Sequence, residues 1–433
     1  MPAVCFYFQV HQPYRLRKYR VFDIGERHEY WDETGESDRN NERILRKVAA
    51  KCYLPVNKLW LKLLTQHPEL RLTFSFTGTL LEQLEAFAPD ALVSFQALVA
   101  TGRVELLAET YYHSLASLYS IEEFRAQVTL HGGLIERLFG VKPVVFRNTE
   151  LIWSDKLAPL VTEMGYKGVL AEGADDILGS SSPNFLYQAP KTKMKLLLKN
   201  YRLSDDIAFR FGEKSWKEWP LSAEKFALWV EAQRGEVVNL FMDYETFGEH
   251  QWQATGIFEF LEALPEALLR ERELSFVTAS EALACFPSRG TLSFPRVVSW
   301  ADIERDTSAW RGNAIQDDAL GKLYAMRERV LASADDMLIR DWRRLTTSDH
   351  FYYMCTKWFA DGDVHKYFNP HESPYDAYIS FVNVLADLQT RLDPVRSSAR
   401  SDGNRSAPRS KGRVTSKRVS TAKRPRLKLE GVK

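Results

Sequence analysis

Apolar residues follow two rhythms over roughly the first 290 positions. Short, nearly continuous apolar runs occupy 3–10 (AVCFYFQV), 71–76, 103–108, 143–147, 167–171, 185–188, 194–201, 237–242 and 274–277. Between them lie longer stretches, 42–66, 79–100, 121–138, 154–164, 222–234 and 256–269, whose apolar residues recur every three or four positions. The first pattern predicts strands buried on both faces, the second amphipathic helices packed against them. Alternation of the two predicts a parallel sheet covered by helices, and the number of runs suits a seven- or eight-stranded barrel.

Past about residue 290 the strand rhythm stops. Segments 317–345 (DDALGKLYAMRERVLASADDMLIRDWRRL) and 374–392 (PYDAYISFVNVLADLQTRL) carry only the helical period. The expected organisation is therefore a (β/α)7-type barrel over 1–290, a helical subdomain over 291–394 that contributes to the site, and a tail over 395–433. That tail holds 13 Lys or Arg against Asp402 and Glu430, a net of +11, so the overall charge of +1 leaves about −10 on residues 1–394. Rich in Ser and lacking aromatics, it cannot bury enough apolar surface to offset the entropy of ordering, and is expected to be disordered. Nonspecific attraction to an anionic polymer or acidic partner is the binding open to it.

Composition narrows the function. Four cysteines (Cys5, Cys52, Cys285, Cys355) lie far apart without CxxC spacing, which predicts neither a zinc site nor a disulfide framework. No leader pattern precedes the first strand and no run reaches membrane-spanning length, so a cytoplasmic protein without a membrane anchor is expected. Neither GxGxxG after the first strand nor GxxxxGK[ST] occurs, which removes the common dinucleotide and P-loop chemistries.

In parallel α/β folds the chemistry lies at the carboxyl ends of strands. Here those ends carry His11 and Gln12 (QVHQP), Glu109 and His113 (LLAETYYHS), Glu150 (VVFRNTELIWSD), and Asp243, Glu245, Glu249 and His250 (DYETFGEHQW). Any one alone reads as a turn residue or a helix-capping acid. Several together are costly to bury unless paired or functional. Metal-assisted hydrolysis would use such residues, but it wants HxH or HxxxH spacing. The nearest approach, His365, His371 and Glu372, falls in the helical part. Glycoside hydrolysis needs two carboxylates flanking the scissile bond, and Trp153, Tyr244 and Trp252 beside the acids offer rings for stacking sugars. The residues themselves leave Asp243 and Glu245 open as the second acid, since two positions apart in an extended strand they point the same way.

Five stretches, HQPYR, VELLAETYYHSL, FRNTELIWSD, FMDYETFGEHQW and TTSDHFYYMCTKW, taken in this order, resemble the characteristic regions of glycoside hydrolase family 57, particularly its α-amylase-like subgroup. The resemblance spans about residues 3–390, and VVSWADIERDTSAWRGNAIQ fits the same subgroup. It implies an incomplete (β/α)7, TIM-like barrel followed by a helical bundle, acting on α-1,4-glucans with retention and without a metal or organic cofactor. Carried over by position, it makes Glu150 the nucleophile and Asp243 the general acid/base. It assigns His11, Gln12, Glu109, His113, Trp153, Tyr244, Trp252, Asp349 and His350 to substrate binding. Where several members read HxHQP, this chain has Gln9 in place of the first histidine; its amide still donates and accepts. Arg147 and Asn148 are expected to hold the Glu150 carboxylate. Hydrolysis of starch- or maltodextrin-type glucan is the expected activity, with glucan transfer or branching, or noncatalytic glycan binding, as the alternatives.

Overall fold

β1 (Ala3–Val10) is buried at all eight positions, and its alternate residues serve two different cores. Val4, Phe6, Phe8 and Val10 face outward, against helices Asn41–Val48 and Leu54–Gln66. Ala3, Cys5 and Tyr7 face inward, where they meet Leu107, Val145, Leu170, Leu197 and Phe241. This is the period of two expected of a strand covered on both faces. The computed structural model describes residues 2–31, 40–270, 274–357 and 369–393; the predicted tail 395–433 lies outside them.

The other strands are β2 (Leu72–Phe76), β3 (Val104–Leu106), β4 (Val145–Arg147), β5 (Gly168–Glu172), β6 (Tyr187–Gln188), β7 (Lys195–Lys199), β8 (Val237–Asp243) and β9 (Ser275–Phe276). One sheet runs β3-β2-β1-β8, a second β4-β5-β7-β6. Two thin seams join them. At one, Ala108 donates to Val145 O (3.0 Å) and Arg147 to Ala108 O (2.8 Å); at the other, Asn200 donates to Asn239 O (2.9 Å). Seven parallel strands thus close in chain order into a TIM-like barrel.

Two expectations change. The 185–188 run is a two-residue strand, antiparallel to β7, because the few residues before Lys195 cannot make the crossover that parallel pairing needs. Segment 79–100 is two helices, Gly78–Phe87 and Pro89–Ala100. Pro89 opens the second and forbids helical continuation through Ala88.

After the barrel the helices Ala314–Ala325, Arg327–Ala332, Asp336–Leu345 and Pro374–Leu392 enclose a separate apolar cluster that includes Leu323, Trp342, Phe381 and Leu388. Tyr14, Tyr19 and Tyr30, from the excursion that follows β1, join this cluster. Barrel and helices belong to one compact unit, residues 1–392. Among the described residues, no helix is long and apolar enough to cross a membrane.

Candidate active site

The barrel's inward parity also explains where its polar residues gather. Moving along the strands from Tyr7, Leu107, Val145, Leu170, Leu197 and Phe241, the next inward positions are Gln9, Glu109, Arg147, Glu172, Lys199 and Asp243. Gln9 lies directly across from Asp243 in the β1–β8 register. Above this layer opens a cleft with about 1170 Å³ of empty space, and Gln9, His11, Gln12, His113, Glu150, Lys199, Asp243, Glu245, His250, Trp300 and Asp349 line it.

Glu150 sits in a single turn, Thr149–Leu151, directly after β4. Its backbone is left-handed (φ 56°, ψ 28°), as is that of Leu151 (φ 52°). A non-glycine residue held there costs about 1–3 kcal/mol and persists only where its surroundings fix it. The surroundings are explicit. Trp300 N donates to Glu150 O (3.1 Å), and Asn148 Nδ2 braces the turn on Ile152 O (2.9 Å) and Ser117 Oγ (3.1 Å). The carboxylate, 7% exposed as a residue, receives His113 Nε2–H on Oε1 (2.7 Å) and Trp300 Nε1–H on Oε2 (2.7 Å).

A buried chain of polar groups stands behind His113. Tyr7 OH and Ser75 Oγ donate to Gln9 Oε1 (2.8 and 2.9 Å), Gln9 Nε2 donates to Glu109 Oε1 (3.2 Å), and His113 Nδ1–H reaches Glu109 Oε2 (3.4 Å). Both ends of the Gln9 amide are therefore engaged. Burial pushes the Glu109 carboxyl up, but the bond from His113 and the Arg147 charge outweigh it and bring the group down to about 2. Burial likewise pushes the His113 imidazole down, yet Glu109 and Glu150 raise it to about 9. At neutral pH the arrangement is a carboxylate, an imidazolium and then Glu150, which suits an ionised Glu150.

His11 stacks on His113 with ring centroids 4.1 Å apart. Burial, then the neighbouring His113 charge, lowers it. A neutral ring whose Nε2 faces Asp349 Oδ2 (3.0 Å) carries its proton there, so Nδ1 accepts from Thr77 Oγ1 (2.9 Å). Past the end of the adjacent strand β8, Glu245 is buried and accepts a hydrogen bond from Tyr53 OH. Burial and then the Asp243 charge raise its carboxyl to about 8.

Several expected binding residues lie elsewhere. Trp153 is fully buried in the core with Phe146, Leu157 and Phe294, because its backbone pairs with Val298 and turns the ring outward from the barrel. Tyr244 is fully buried among Phe8, Phe74 and Phe95, one position past Asp243 and so on the outward face. Neither ring has a face to offer a sugar. Trp252 is 59% exposed, but it rims a separate concavity beside Pro55, Leu59 and Phe258. Glu109 is buried below the cleft and holds His113, while His350 is buried against Trp31 and Phe381 and lowered by burial to about 4. Arg147 and Asn148 do not hold the Glu150 carboxylate; Arg147 lies 3.9 Å from Glu109 and under the Trp300 ring. For the metal alternative, His365 lies outside the described residues, and among these no group of three His, Cys, Asp or Glu is arranged around an ion.

Trp300 and Lys199 escape the sequence reading. Lys199 ends an apolar strand, a signal of the kind that singled out the acids. Trp300 lies in an irregular segment whose contact with Glu150 depends wholly on tertiary structure.

Comparison with known proteins bears on the family and the fold. The family model described as glycosyl hydrolase family 57 matches residues 5–295. A protein of Methanocaldococcus jannaschii named "Putative alpha-amylase" is 40% identical over 412 residues, 93% of this chain and 87% of that one. Two solved structures share the fold: a branching enzyme from Thermococcus kodakaraensis (TM-score 0.61, 15% identity, covering 92% of this chain and 95% of that one) and an α-amylase from Thermotoga maritima (TM-score 0.60, 14% identity, covering 91% and 94%). The chain belongs to glycosyl hydrolase family 57 and is a glycosidase.

Proposed function

We propose that the protein cleaves α-1,4-glucosidic bonds of starch-, glycogen- or maltodextrin-type glucans with retention, Glu150 acting as nucleophile and Asp243 as general acid/base. The observation that carries this reading is the Glu150 carboxylate, held by His113 on one oxygen and Trp300 on the other in a cleft that Asp243 also lines. His113 and Trp300 thereby orient the group from both of its oxygens. One Glu150 oxygen bonds to the anomeric carbon as the C–O bond to the leaving glucan breaks, and Asp243 gives its proton to that departing oxygen. Water then gives a proton to Asp243 as its oxygen attacks the anomeric carbon and releases Glu150. The His113 imidazolium keeps Glu150 anionic between turnovers, and His11, oriented by Asp349 and Thr77, stands at the sugar beside the scissile bond.

The α-amylase name of the Methanocaldococcus relative supports hydrolysis as the outcome. A sugar hydroxyl arriving in place of water would give glucan transfer through the same intermediate. Incubation with maltoheptaose separates the readings. Shorter sugars alone are expected; longer products mean transfer, and binding without turnover means a glycan-binding protein. Glu150→Gln should lower turnover by at least about 10⁴-fold while glucan binding persists. A near-wild-type rate in that variant refutes the assignment.

A further inference from the structure

We propose that Trp300 is the positioning residue for the Glu150 carboxylate, and that Arg305 acts through it by latching its backbone to the barrel. The inference rests on the proposed role of Glu150.

Trp300 grips the Glu150 residue twice. Its main chain donates to Glu150 O (3.1 Å) and its indole to Oε2 (2.7 Å), so one residue holds both the left-handed turn and one oxygen of the side chain. The ring lies near two cations, with Arg147 Cζ 5.0 Å and Lys199 Nζ 5.2 Å from its centroid. Positive charge near the indole draws density from the ring and strengthens its N–H as a donor.

Arg147 supports this reading independently. It is fully buried, and none of its three guanidinium nitrogens has a hydrogen-bond partner. A buried cation in that state is costly. Its neighbours are the Glu109 carboxylate at 3.9 Å and the Trp300 ring, so the indole is part of what keeps the charge in place. That explains why the guanidinium belongs under Trp300 rather than on Glu150.

The segment that carries Trp300 has no regular structure of its own, so it needs an anchor. Arg305 Nη1 donates to Trp300 O (3.2 Å) and to Glu172 Oε2 (3.1 Å), while Nη2 lies 3.5 Å from Asp205 Oδ2. Its guanidinium also stacks on Tyr201 at 4.3 Å. Glu172 ends β5, and Asp205 in turn binds Lys199 of β7 (2.8 Å). One guanidinium thus ties the Trp300 carbonyl to two strand ends. Arg305 itself has a left-handed backbone (φ 51°), a strain that the latch would have to hold.

The test compares Trp300→Phe, Arg305→Gln and the double variant on maltoheptaose, with thermal unfolding followed in parallel. Trp300→Phe keeps the ring and removes the donor, and should lower kcat about 10- to 100-fold with KM within about twofold. Arg305→Gln should lower kcat in the same sense. The double variant should be no slower than Trp300→Phe by more than about threefold, because Arg305 acts through Trp300. A donor also withdraws charge from the nucleophile, so a Trp300→Phe rate at or above wild type means that orientation is not limiting and overturns the proposal. Effects that multiply in the double variant overturn the latch. Should Trp300→Phe fail to fold, Arg305→Gln decides alone: lower kcat at constant KM supports the proposal, and unchanged kcat overturns it. If wild type is inactive on glucans, or Glu150→Gln is fully active, the function reading itself has failed, a result distinct from any of these.

Discussion

Replacing Glu245 by Gln separates the two acids that the sequence pattern left equivalent. The Glu245 carboxyl is buried, accepts from Tyr53 OH and is raised from 4.5 to about 8, first by burial and then by the Asp243 charge. A raised value of this kind also marks general acids, so Glu245 is a physical rival to Asp243. A group whose folded value lies above its unfolded one adds stability below the unfolded value and loses it as pH rises through the folded one. From 4.5 to about 8 that loss is about 1.4 kcal/mol per pH unit, or about 3 kcal/mol by pH 7 and about 5 kcal/mol above pH 8. Gln is isosteric, still accepts from Tyr53 and never ionises. The stability of Glu245→Gln relative to wild type should therefore climb steadily between pH 5 and 8. At pH 7 the gain corresponds to about 3–4 °C in Tm for a chain of this size. Calorimetry at pH 5, 6, 7 and 8 gives the slope, and maltoheptaose turnover gives the chemistry. With Asp243 as acid/base, Glu245→Gln keeps kcat within about threefold and Asp243→Asn loses at least about 10²-fold. Equal pH dependence in the two proteins would refute the burial argument, and a Glu245→Gln collapse beside an active Asp243→Asn would exchange the two roles.

The remaining predictions are narrower. His113, raised to about 9, contributes stability in full below pH 6.5 and loses it as pH rises through about 9, at most about 3 kcal/mol. Denaturant unfolding at pH 6 and 9 should show this decline in wild type and a smaller one in His113→Gln, whose turnover at pH 7 should also fall about 10²-fold or more. Trp252→Ala should leave kcat/KM on maltoheptaose within about twofold, because the ring rims a separate concavity; a tenfold loss would return it to the cleft. Gly248 has φ +108° and a Cβ built on it would lie 2.2 Å from Lys51 O. Gly248→Ala should therefore destabilise by about 2–3 kcal/mol in a urea titration, and an unchanged midpoint would show that the loop yields.

The barrel was legible because parallel strands buried on both faces must be largely apolar, and β1 and β8 are apolar but for Gln9, Asn239 and Asp243. Short strands were less so: β3 and β4 are three residues long, and only their hydrogen bonds through Ala108 make them one wall. The direction of β6 was hidden because periodicity carries no information about strand polarity. Pro89 was visible, yet an apolar period that continues on both sides of it read as one helix.

The site divides along the same line. Residues just past strand ends could be singled out by position alone, and so Glu150, Asp243, His11 and His113 were found, all of them lining one cleft. Parity also carries the error in it: Tyr244 is adjacent to Asp243 and therefore faces away, and Trp153 was assigned from proximity in sequence without a partner strand to orient it. What the pattern could not supply is the set of contacts made across the chain. His113 and Trp300, which donate to Glu150, lie 37 positions before it and 150 after it. Even Gln9 gains its meaning only there. Its amide oxygen meets the bonded hydroxyl pair of Tyr7 and Ser75, and its nitrogen donates to Glu109. An amide, which accepts at one end and donates at the other, thus suits a barrel interior in which the Tyr7–Ser75 pair donates and Glu109 accepts.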